Sequence, residues 1–531
     1  MKNILTLIFV SFILNFWGQV NYSTLDYNTT SGILSDGGFL FNMTQPHSAG
    51  YEVPKGSGID AIFQAAFWFG AIDGAGTLRT AAVRISGDSD LFPGPYSSLN
   101  MYSNPSYIAE YSPALWTVSK SEIDYHIANY MNSGYSIPAS ISDWPGNGYF
   151  ALGTAQNLAP FVDLNNDNVY SPALGDYPDI RGDKATYIIM NDAADVHQIT
   201  VSNPLGIEVH IMAYQFSSTN FIDTTTFLNL RVFNRGGNIY SNFRVGFSMD
   251  ADIGNPNDDY IGCDTSRNLI YTYNADNIDE SASGNASYYG SNPPCIGMVS
   301  LNNPMNVVGG FSNSASYPHQ DPYYAPDYWN YLNGKWENGS SFYYGGLGYT
   351  GTNGVTTTPT TYLFSGNPYT GTGWSELTNN NASGDRRCYM SLDSVELNSG
   401  DVLCNDFAII YSRTGDHLEN VQGVINTADS VKQFFLTQEF NCSQMTLGES
   451  ESQPMKVNVF PNPTTGKITI TGIPNPSNCA ITIHDVYGKI LNQDLHWNGK
   501  NLEINLGDKK GIYFVNVSAN GTSQTFKLSV R

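Results

Sequence analysis

Three successive segments in the middle of the chain alternate between apolar and polar residues, and this alternation constrains the fold more than any other feature. They are residues 207–216, 226–234 and 242–250, and in the third the apolar side chains occupy every second position from Phe243 to Met249. Because successive side chains of a strand point to opposite faces, the pattern predicts antiparallel strands with one buried face. We therefore predict a mainly β protein whose body is an antiparallel β-sandwich with a few short helices.

Local signals predict one turn and two helices in this body. Residues 235–238 read Arg-Gly-Gly-Asn, which is typical of a turn between two strands. Ser119 with Glu122, and Asp416 with Glu419, have the spacing of capping boxes ahead of apolar residues at helical intervals. We expect both helices to pack against the sheets and to carry no chemistry.

Composition excludes several classes of function. The 47 acidic residues exceed the 24 Lys and Arg residues, which gives a formal net charge of -23. This charge opposes binding to nucleic acid and to anionic membranes. Aromatic residues make up 13% of the chain, which excludes an acidic disordered protein. We expect a folded, β-rich protein that works outside the cell.

Residues 1–19 have the features of a secretory signal peptide. Lys2 precedes an apolar run at residues 4–14, and Gly18 supplies a small residue near the end. The run is too short to span a bilayer, and no other stretch is long and apolar enough to do so. We therefore predict export and a mature chain without a transmembrane span.

A polar linker at residues 443–455 is predicted to separate a β-rich body, residues 20–442, from a C-terminal domain, residues 456–531. The sequence leaves open whether the body contains one subdomain or two. In the C-terminal domain, residues 457–472 alternate around a turn at 461–466, and later segments repeat the alternation up to Gly or Asn-Gly turns. This pattern predicts a small Ig-like β-sandwich.

The C-terminal domain resembles the type A C-terminal sorting domain of type IX secretion substrates. The matching elements are Phe-Pro-Asn-Pro-Thr-Thr-Gly at 460–466, Asp-Val-Tyr-Gly-Lys at 485–489 and Lys-Gly-Ile-Tyr-Phe-Val at 510–515. The resemblance implies passage through the type IX translocon, with its sorting machinery as partner, and then attachment to surface lipopolysaccharide or release. It also implies a location outside a Gram-negative bacterium or on its outer-membrane surface.

The body as a whole resembles a large family of proteins exported by the same route. The similar segments are residues 51–82, residues 250–274, and residues 384–387 ahead of residues 394–401. This resemblance indicates kinship and export, and it implies no particular activity.

An acidic segment directly after the third alternating segment is the best candidate for an ion site. Hard cations such as Ca²⁺ take about six to eight oxygen ligands, and clustered carboxylates repel one another without a counter-ion. Gly254 allows the later acids to fold back toward the earlier ones. The alternative is a solvated acidic turn. We expect calcium here, and the candidate ligands are Asp250, Asp252, Asn255, Asp258, Asp259 and Asp264.

A second candidate ion site lies at residues 163–179. Asp163, Asn165 and Asp167 occupy positions one, three and five of an EF-hand-like loop, and Asp176 could supply a later carboxylate. The run resembles the shorter calcium loops of dockerin-like repeats. The alternative is a surface turn rich in Asp and Asn.

Aromatic residues are dense between residues 317 and 344. Rings beside Asn, Asp and Gly can stack on sugars while their polar neighbours hydrogen-bond to hydroxyl groups. Tyr328, Trp329 and Trp336 are therefore candidate ligand-binding residues. The alternative is a loop whose rings cap the core, because large rings are usually buried.

Six cysteines in an exported chain predict disulfides, although six cysteines allow fifteen pairings. Pairing nearest neighbours in the sequence gives Cys263–Cys295 and Cys388–Cys404 as the expected bonds. The cysteines do not have the CxxC or Cys/His spacing of a metal site.

Sequence motifs of common nucleotide-binding and hydrolytic sites are absent: there is no HExxH motif, no Walker A loop and no GxSxG elbow. We therefore expect a calcium-stabilised, non-catalytic binding or adhesion protein, with extracellular glycans as one class of ligand. The alternative is a secreted hydrolase that degrades polysaccharide or peptide with two carboxylates placed about 5–10 Å apart.

Overall fold

A computed structural model describes residues 20–438, 440 and 457–531, except for short stretches within them. The exceptions are residues 45–46, 85–87, 282–286, 314, 473–478, 486–488, 490, 492–494, 499–500, 508 and 520–521. The predicted signal peptide and linker therefore lie outside the described residues. The chain divides into two units, Met1–Met445 and Thr446–Arg531, and each is treated by itself.

Strands dominate the first unit, which is the body. Its first half contains β1 (Tyr22–Leu25), β2 (Ser31–Ser35), β3 (Asn42–Thr44), β4 (His47–Ala49), β5 (Tyr51–Glu52), β6 (Asp60–Ile62), β7 (Gln64–Ile72), β8 (Leu78–Ala81), β9 (Phe92–Pro93), β10 (Leu115–Ser119), β11 (Phe161–Val162), β12 (Tyr177–Pro178), β13 (Lys184–Asn191) and β14 (Ile207–Gln215).

Its second half contains β15 (Thr225–Asn234), β16 (Tyr240–Asp250), β17 (Asp259–Asp264), β18 (Leu269–Asn274), β19 (Ile278–Asp279), β20 (Gly290–Ser291), β21 (Cys295–Ser300), β22 (Met305–Ser312), β23 (Phe342–Tyr343), β24 (Pro359–Thr360), β25 (Arg386–Leu392), β26 (Val395–Leu397) and β27 (Val402–Ser412). The α-helices are α1 (Pro105–Tyr111), α2 (Lys120–Asn129), α3 (Ala139–Ser142), α4 (Ala325–Leu332) and α5 (His417–Thr437).

Two large antiparallel sheets form the body, which confirms the predicted β-sandwich. The larger sheet has the order β10-β13-β14-β15-β27-β21-β18-β17, with β9 beside β13, and the smaller has the order β22-β25-β16-β7-β8, with β26 beside β16. Rings of Phe67 and Phe247 on the smaller sheet meet Phe407 on the larger sheet, at centroid distances of 5.5 and 5.2 Å. This apolar layer is the main core.

Helices cover the outer faces of both sheets. Val424 and Ala428 of α5 are fully buried in a second core on the far face of the larger sheet. Tyr328 of α4 packs edge-on against Trp68 of the smaller sheet, at a centroid distance of 5.1 Å. The prediction of one buried face is therefore wrong for β14 and β15, which are buried at every position. Other segments cover their second face: Arg235 pairs with Glu208 of β14, and Phe434 of α5 packs on Phe227 of β15.

The predicted turn at residues 235–238 connects the two sheets rather than forming a hairpin, because β15 pairs with β14 and β27 whereas β16 pairs with β7 and β25. Both predicted helix starts are confirmed. The Glu122 carboxylate accepts from the Ser119 backbone N–H at 2.8 Å ahead of α2. Asp416 accepts from the Glu419 N–H at 2.8 Å ahead of α5.

The predicted disulfide pairs are wrong. Cys263, Cys295 and Cys388 are buried free thiols, and Cys404 is disulfide-bonded to none of them. Cys263 on β17 and Cys295 on β21 are separated by β18, and their side chains enter the cores on opposite faces of the larger sheet. Cys388 lies on the smaller sheet. Nearness in sequence therefore did not translate into nearness in space.

The second unit is a small β-domain. Its strands are β28 (Asn458–Phe460), β29 (Lys467–Thr471), β30 (Cys479–Asp485), β31 (Leu495–Asn498), β32 (Asn501–Asn505), β33 (Gly511–Ala519) and β34 (Thr522–Val530). They form two antiparallel sheets, β28-β29-β32-β31 and β30-β33-β34, around a core that includes Ile470 and Val515. This architecture agrees with the predicted β-rich C-terminal domain.

The Phe-Pro-Asn-Pro-Thr-Thr-Gly motif fastens the start of this domain to its last strand. Thr464 donates its N–H to the Ser529 carbonyl at 2.8 Å and accepts the Arg531 N–H at 2.9 Å. Gly466 has a φ of 120°, and a Cβ there would lie 2.4 Å from the Gly507 carbonyl oxygen. The motif therefore needs glycine at its last position.

Candidate functional site

Strand pairing gathers three carboxylates at one end of the smaller sheet. Asp250 ends β16 and is the register partner of Arg387 on β25. Asp252 follows two residues later, and Asp385 directly precedes β25. Asp250, Asp252 and Asp385 each offer an oxygen within 4.8 Å of the others. We call these three residues the aspartate cluster.

One guanidinium partly balances the aspartate cluster. Arg387 Nε lies 3.1 Å from Asp250 Oδ2 and 3.7 Å from Asp385 Oδ1, and Arg387 also pairs with Asp321. The other oxygen of Asp250 is buried and accepts no hydrogen bond from the described residues. Arg387 therefore contacts three carboxylates, and Asp252 adds a fourth to the site, so the site retains an excess of negative charge.

Burial gives the cluster unusual protonation. Desolvation, followed by repulsion from Asp252, raises the pKa of Asp250 well above its ordinary value, against the opposing effect of Arg387. Desolvation and repulsion from Asp385 raise the pKa of Asp252 to about 7. A carboxyl group whose pKa is raised in this way is stabilised by a proton or by a bound cation.

Of the six residues predicted as ligands after the third segment, the structure brings only Asp250 and Asp252 into the cluster. Asp259 accepts the Ile253 N–H at 3.1 Å, and burial raises its pKa well above the ordinary value. Burial and repulsion from Asp279 raise the pKa of Asp258 to about 7. Both acids lie outside the group of converging oxygens.

The remaining two predicted ligands are occupied elsewhere. The Asn255 side-chain oxygen accepts the Asn257 N–H at 3.2 Å. Asp264 lies at the opposite end of β17, where it pairs with Arg267 at 2.8 Å and caps a short helical turn. The β17 strand carries Asp264 away from the cluster, because each strand residue advances the chain by about 3.3 Å.

The second predicted ion loop is closed by its own backbone. Asp163 accepts the N–H groups of Asn166 at 2.7 Å and of Asn168 at 2.7 Å. Asp167 accepts from Val169 at 2.8 Å and from the Asn165 side chain, also at 2.8 Å.

Asp176 is fully buried and holds the two ends of this loop together. Its oxygens accept from Leu164 at 2.9 Å and from Ser171 at 2.8 Å. Asp163, Asp167 and Asp176 therefore do not form a group of converging carboxylates, although this part of the chain is fully described.

The predicted ligand-binding aromatics are largely core residues. Tyr328 and Trp336 are 1% and 2% exposed, and Trp329 is half-buried beside Gly70. Their rings fill the space over the smaller sheet, because α4 lies on that face. Within the predicted aromatic segment, Tyr323 and Tyr324 are the exposed rings directly before α4.

Sequence reasoning missed Asp385, Arg387 and Asp321 as members or neighbours of the cluster. Asp385 and Arg387 belong to the Gly-Asp-Arg-Arg run at residues 384–387, which precedes an apolar strand. That position was a usable signal, because the start of one strand lies beside the end of its antiparallel neighbour. Charged residues at these two places can therefore come together. The register that pairs Asp250 with Arg387 is visible only in the folded protein.

The described part of the chain contains no helix that is long and apolar enough to cross a membrane. Residues 458–531 match the model of the secretion system C-terminal sorting domain. The protein is therefore a type IX secretion substrate with a type A sorting domain. It is secreted or attached to the surface of a Bacteroidetes-type Gram-negative bacterium, and the secretion machinery is a partner of its tail.

Two solved structures share a distant likeness with the chain. A polysaccharide lyase is 8% identical over 61% of this chain and 34% of its own length, with a TM-score of 0.17. A putative aldose 1-epimerase from Escherichia coli K12 is 9% identical over 75% of this chain and 100% of its own, with a TM-score of 0.24. The chain spans about a third of the lyase. These scores are too low to support an inference about activity, and no curated protein matches the chain.

Proposed function

We propose that the body of this exported protein is a non-catalytic binding or adhesion module, and that a Ca²⁺ ion held by Asp250, Asp252 and Asp385 stabilises it. Two observations support the ion: these three carboxylates each offer an oxygen within 4.8 Å of the others, and one buried oxygen of Asp250 has no donor among the described residues. A cation would replace the missing donor.

The donor set favours calcium among the common metals. All three converging groups are carboxylates, which are hard oxygen ligands, and backbone carbonyls or water can complete the coordination that Ca²⁺ requires. Asp250 ends β16 and Asp385 precedes β25, so an ion here would tie two neighbouring strands of the sandwich. Its effect would be on stability rather than on a reaction.

The surroundings of the cluster support a structural role. Asp250 is 2% exposed, and its neighbour Arg387 is 8% exposed, so a polymer chain has little access to these groups. A hydrolase would need its acids at an open concave surface where substrate can reach them. The acids with raised pKa values at the cluster are instead packed around Arg387.

Thermal unfolding with calcium and with chelator tests the stabilising ion. A ligand that binds only the folded state, at a concentration about 100 times its Kd, stabilises that state by about 2.7 kcal/mol. The midpoint temperature of unfolding should therefore rise with added Ca²⁺. Asp385→Asn should remove this response, and Asp124→Asn, on the exposed face of α2, should retain it. A wild-type midpoint that is the same in calcium and in chelator would contradict the proposal.

A turnover screen tests the non-catalytic part. Purified full-length protein should release no reducing ends from neutral or acidic polysaccharides and no peptides from denatured protein. Reproducible turnover of any of these polymers would replace the binding role with the hydrolase alternative.

A further inference from the structure

A polar cleft is lined by residues that follow β8, by residues 195–199 and by the two residues before α4, and it shares no residue with the aspartate cluster. Its cavity volume is about 410 Å³, and its walls include Arg84, Asp88, Asp195, Gln198, Tyr323 and Tyr324. Small-molecule sites commonly measure about 300–1,000 Å³. The cleft is therefore large enough for one or two sugar rings.

Buried hydrogen bonds hold two walls of the cleft together. Asp90 is fully buried, and its carboxylate accepts the N–H groups of Ile199 at 3.0 Å and Thr200 at 3.2 Å. It also accepts the Ala82 N–H at 3.3 Å. Ala82 and Asp90 are therefore held against Ile199 and Thr200, next to the cleft residue Gln198.

The third wall is fixed in the same way. The Ala325 N–H donates to the Thr200 carbonyl at 3.0 Å, which joins the start of α4 to the second wall. Asp327 accepts the backbone N–H groups of Tyr323 at 3.1 Å and Tyr324 at 2.9 Å. Both rings are thus presented from a backbone that is held in place before any ligand arrives, which lowers the entropic cost of binding.

The side chains of the cleft offer both apolar faces and polar groups. Tyr324 is 60% exposed, and Tyr323 is 41% exposed with the Arg84 guanidinium 3.8 Å from its ring centroid. Arg84 and Gln198 can donate hydrogen bonds, whereas Asp88 and Asp195 can accept them. Two carboxylates against one guanidinium make the lining slightly acidic, within a chain of net charge -23.

We propose that this cleft binds a neutral saccharide. A sugar ring has C–H faces that pack on tyrosine rings, and its hydroxyls both donate and accept, which matches a lining of carboxylates, an amide and a guanidinium. An acidic sugar would be repelled by Asp88, Asp195 and the negative chain. The inference rests on the proposed binding role of the body, but it does not depend on calcium.

Affinity electrophoresis of the full chain tests the cleft directly. Native gels would contain galactomannan, xylan or mixed-linkage β-glucan as neutral probes, or polygalacturonate as the acidic probe. Wild type should be retarded by at least one neutral polymer. Tyr324→Ala and Arg84→Ala should weaken that binding by about tenfold or more, because each removes a contact worth about 1.4 kcal/mol. Tyr369→Ala, which removes another exposed ring outside the cleft, should bind as wild type does.

The outcomes separate the two proposals. Absence of retardation in every neutral gel, or retardation that Tyr324→Ala and Arg84→Ala both retain, would overturn the saccharide cleft. Retardation by polygalacturonate alone would overturn the proposal that the ligand is a neutral saccharide. Reducing ends released in the same samples would contradict the non-catalytic role. Binding by the cleft would still be measured separately, by the retardation of the protein in the gel. Circular dichroism of each variant would confirm that lost retention is not lost folding.

Discussion

Arg387 Nε lies 3.1 Å from Asp250 Oδ2, in an ion pair between two strands whose partners are 137 residues apart in the sequence. Arg387 also contacts Asp385 and Asp321, so one guanidinium faces three carboxylates. Asp250 and Arg387 are both buried. Removing either charge would strongly destabilise the folded protein, because the other charge would be left buried without a partner. The remaining negative charge is the reason to expect a second cation beside Arg387.

Replacing Arg387 by methionine should strongly destabilise the body. Removing one member of a buried pair costs about 3–5 kcal/mol, and added Ca²⁺ should offset part of this loss by neutralising Asp250. Denaturant unfolding with and without calcium measures both effects. Arg267→Met, which breaks the partly exposed ion pairs of Arg267 with Asp264 and Asp429, should cost no more than about 1 kcal/mol. A similar small loss for Arg387→Met would contradict the role of the buried pair.

Replacing Asp163 by alanine should destabilise the loop at residues 163–179 by about 1 kcal/mol, because two short backbone hydrogen bonds lose their acceptor. The loss should be the same in calcium and in chelator, since the loop satisfies its carboxylates internally. Urea unfolding in both buffers is the measurement. A loss that appears only in calcium would show that this loop binds the ion after all.

Glu337→Gln should change how stability depends on pH. Burial, followed by repulsion from Asp327 and Asp321, raises the pKa of Glu337 to about 8 from an ordinary 4.5. Because the folded state raises the pKa of Glu337, the protonated side chain contributes to the stability of the folded state. This stabilisation is fully present below about pH 4.5 and is lost as the pH rises through 8. The variant should therefore gain on wild type as the pH rises across this range, by less than the ~1.4 kcal/mol per pH unit of a fully desolvated group. The exposed Glu396→Gln is the control, and parallel curves for Glu337→Gln and wild type would contradict the prediction.

The free cysteines should resist alkylation in the folded protein. Burial raises the pKa of the Cys388 thiol to about 12 and that of Cys263 well above its ordinary value, so little thiolate forms. Iodoacetamide should label Cys263, Cys295 and Cys388 only after the protein is unfolded. No reductant should be needed for this labelling. Peptide mass spectrometry reads the sites. A peptide in which Cys263 is bonded to Cys295 would restore the pairing that the structure rejects.

Much of the fold was predictable because its signals are local. The alternation at residues 226–234 identifies β15, and the Asp416–Glu419 capping box identifies the start of α5. The partner of β15 was not predictable, since β15 pairs with β27, whose residues lie about 170–185 positions later in the sequence. Burial of the second face of β15 depends on residues distant in sequence, such as Phe434 of α5 against Phe227, which the alternation within the strand cannot report.

The candidate site was predictable only in part for the same reason. Asp250 and Asp252 carry a local signal, because they follow a strand in an acidic run. Asp385 joins them through the register of β16 with β25, which no local pattern specifies. Asp264 was misplaced because closeness in sequence was taken as closeness in space, whereas β17 is an extended strand.

Calorimetric titration of Ca²⁺ into the chelator-treated full-length protein tests the central claim most directly. At about pH 8, where Asp252 with its pKa of about 7 is mostly ionised, we expect one ion per chain at the aspartate cluster. Asp252→Asn and Asp385→Asn should abolish that binding, and Asp163→Asn should retain it. Absence of binding by wild type, or binding that both cluster variants retain, would contradict the account.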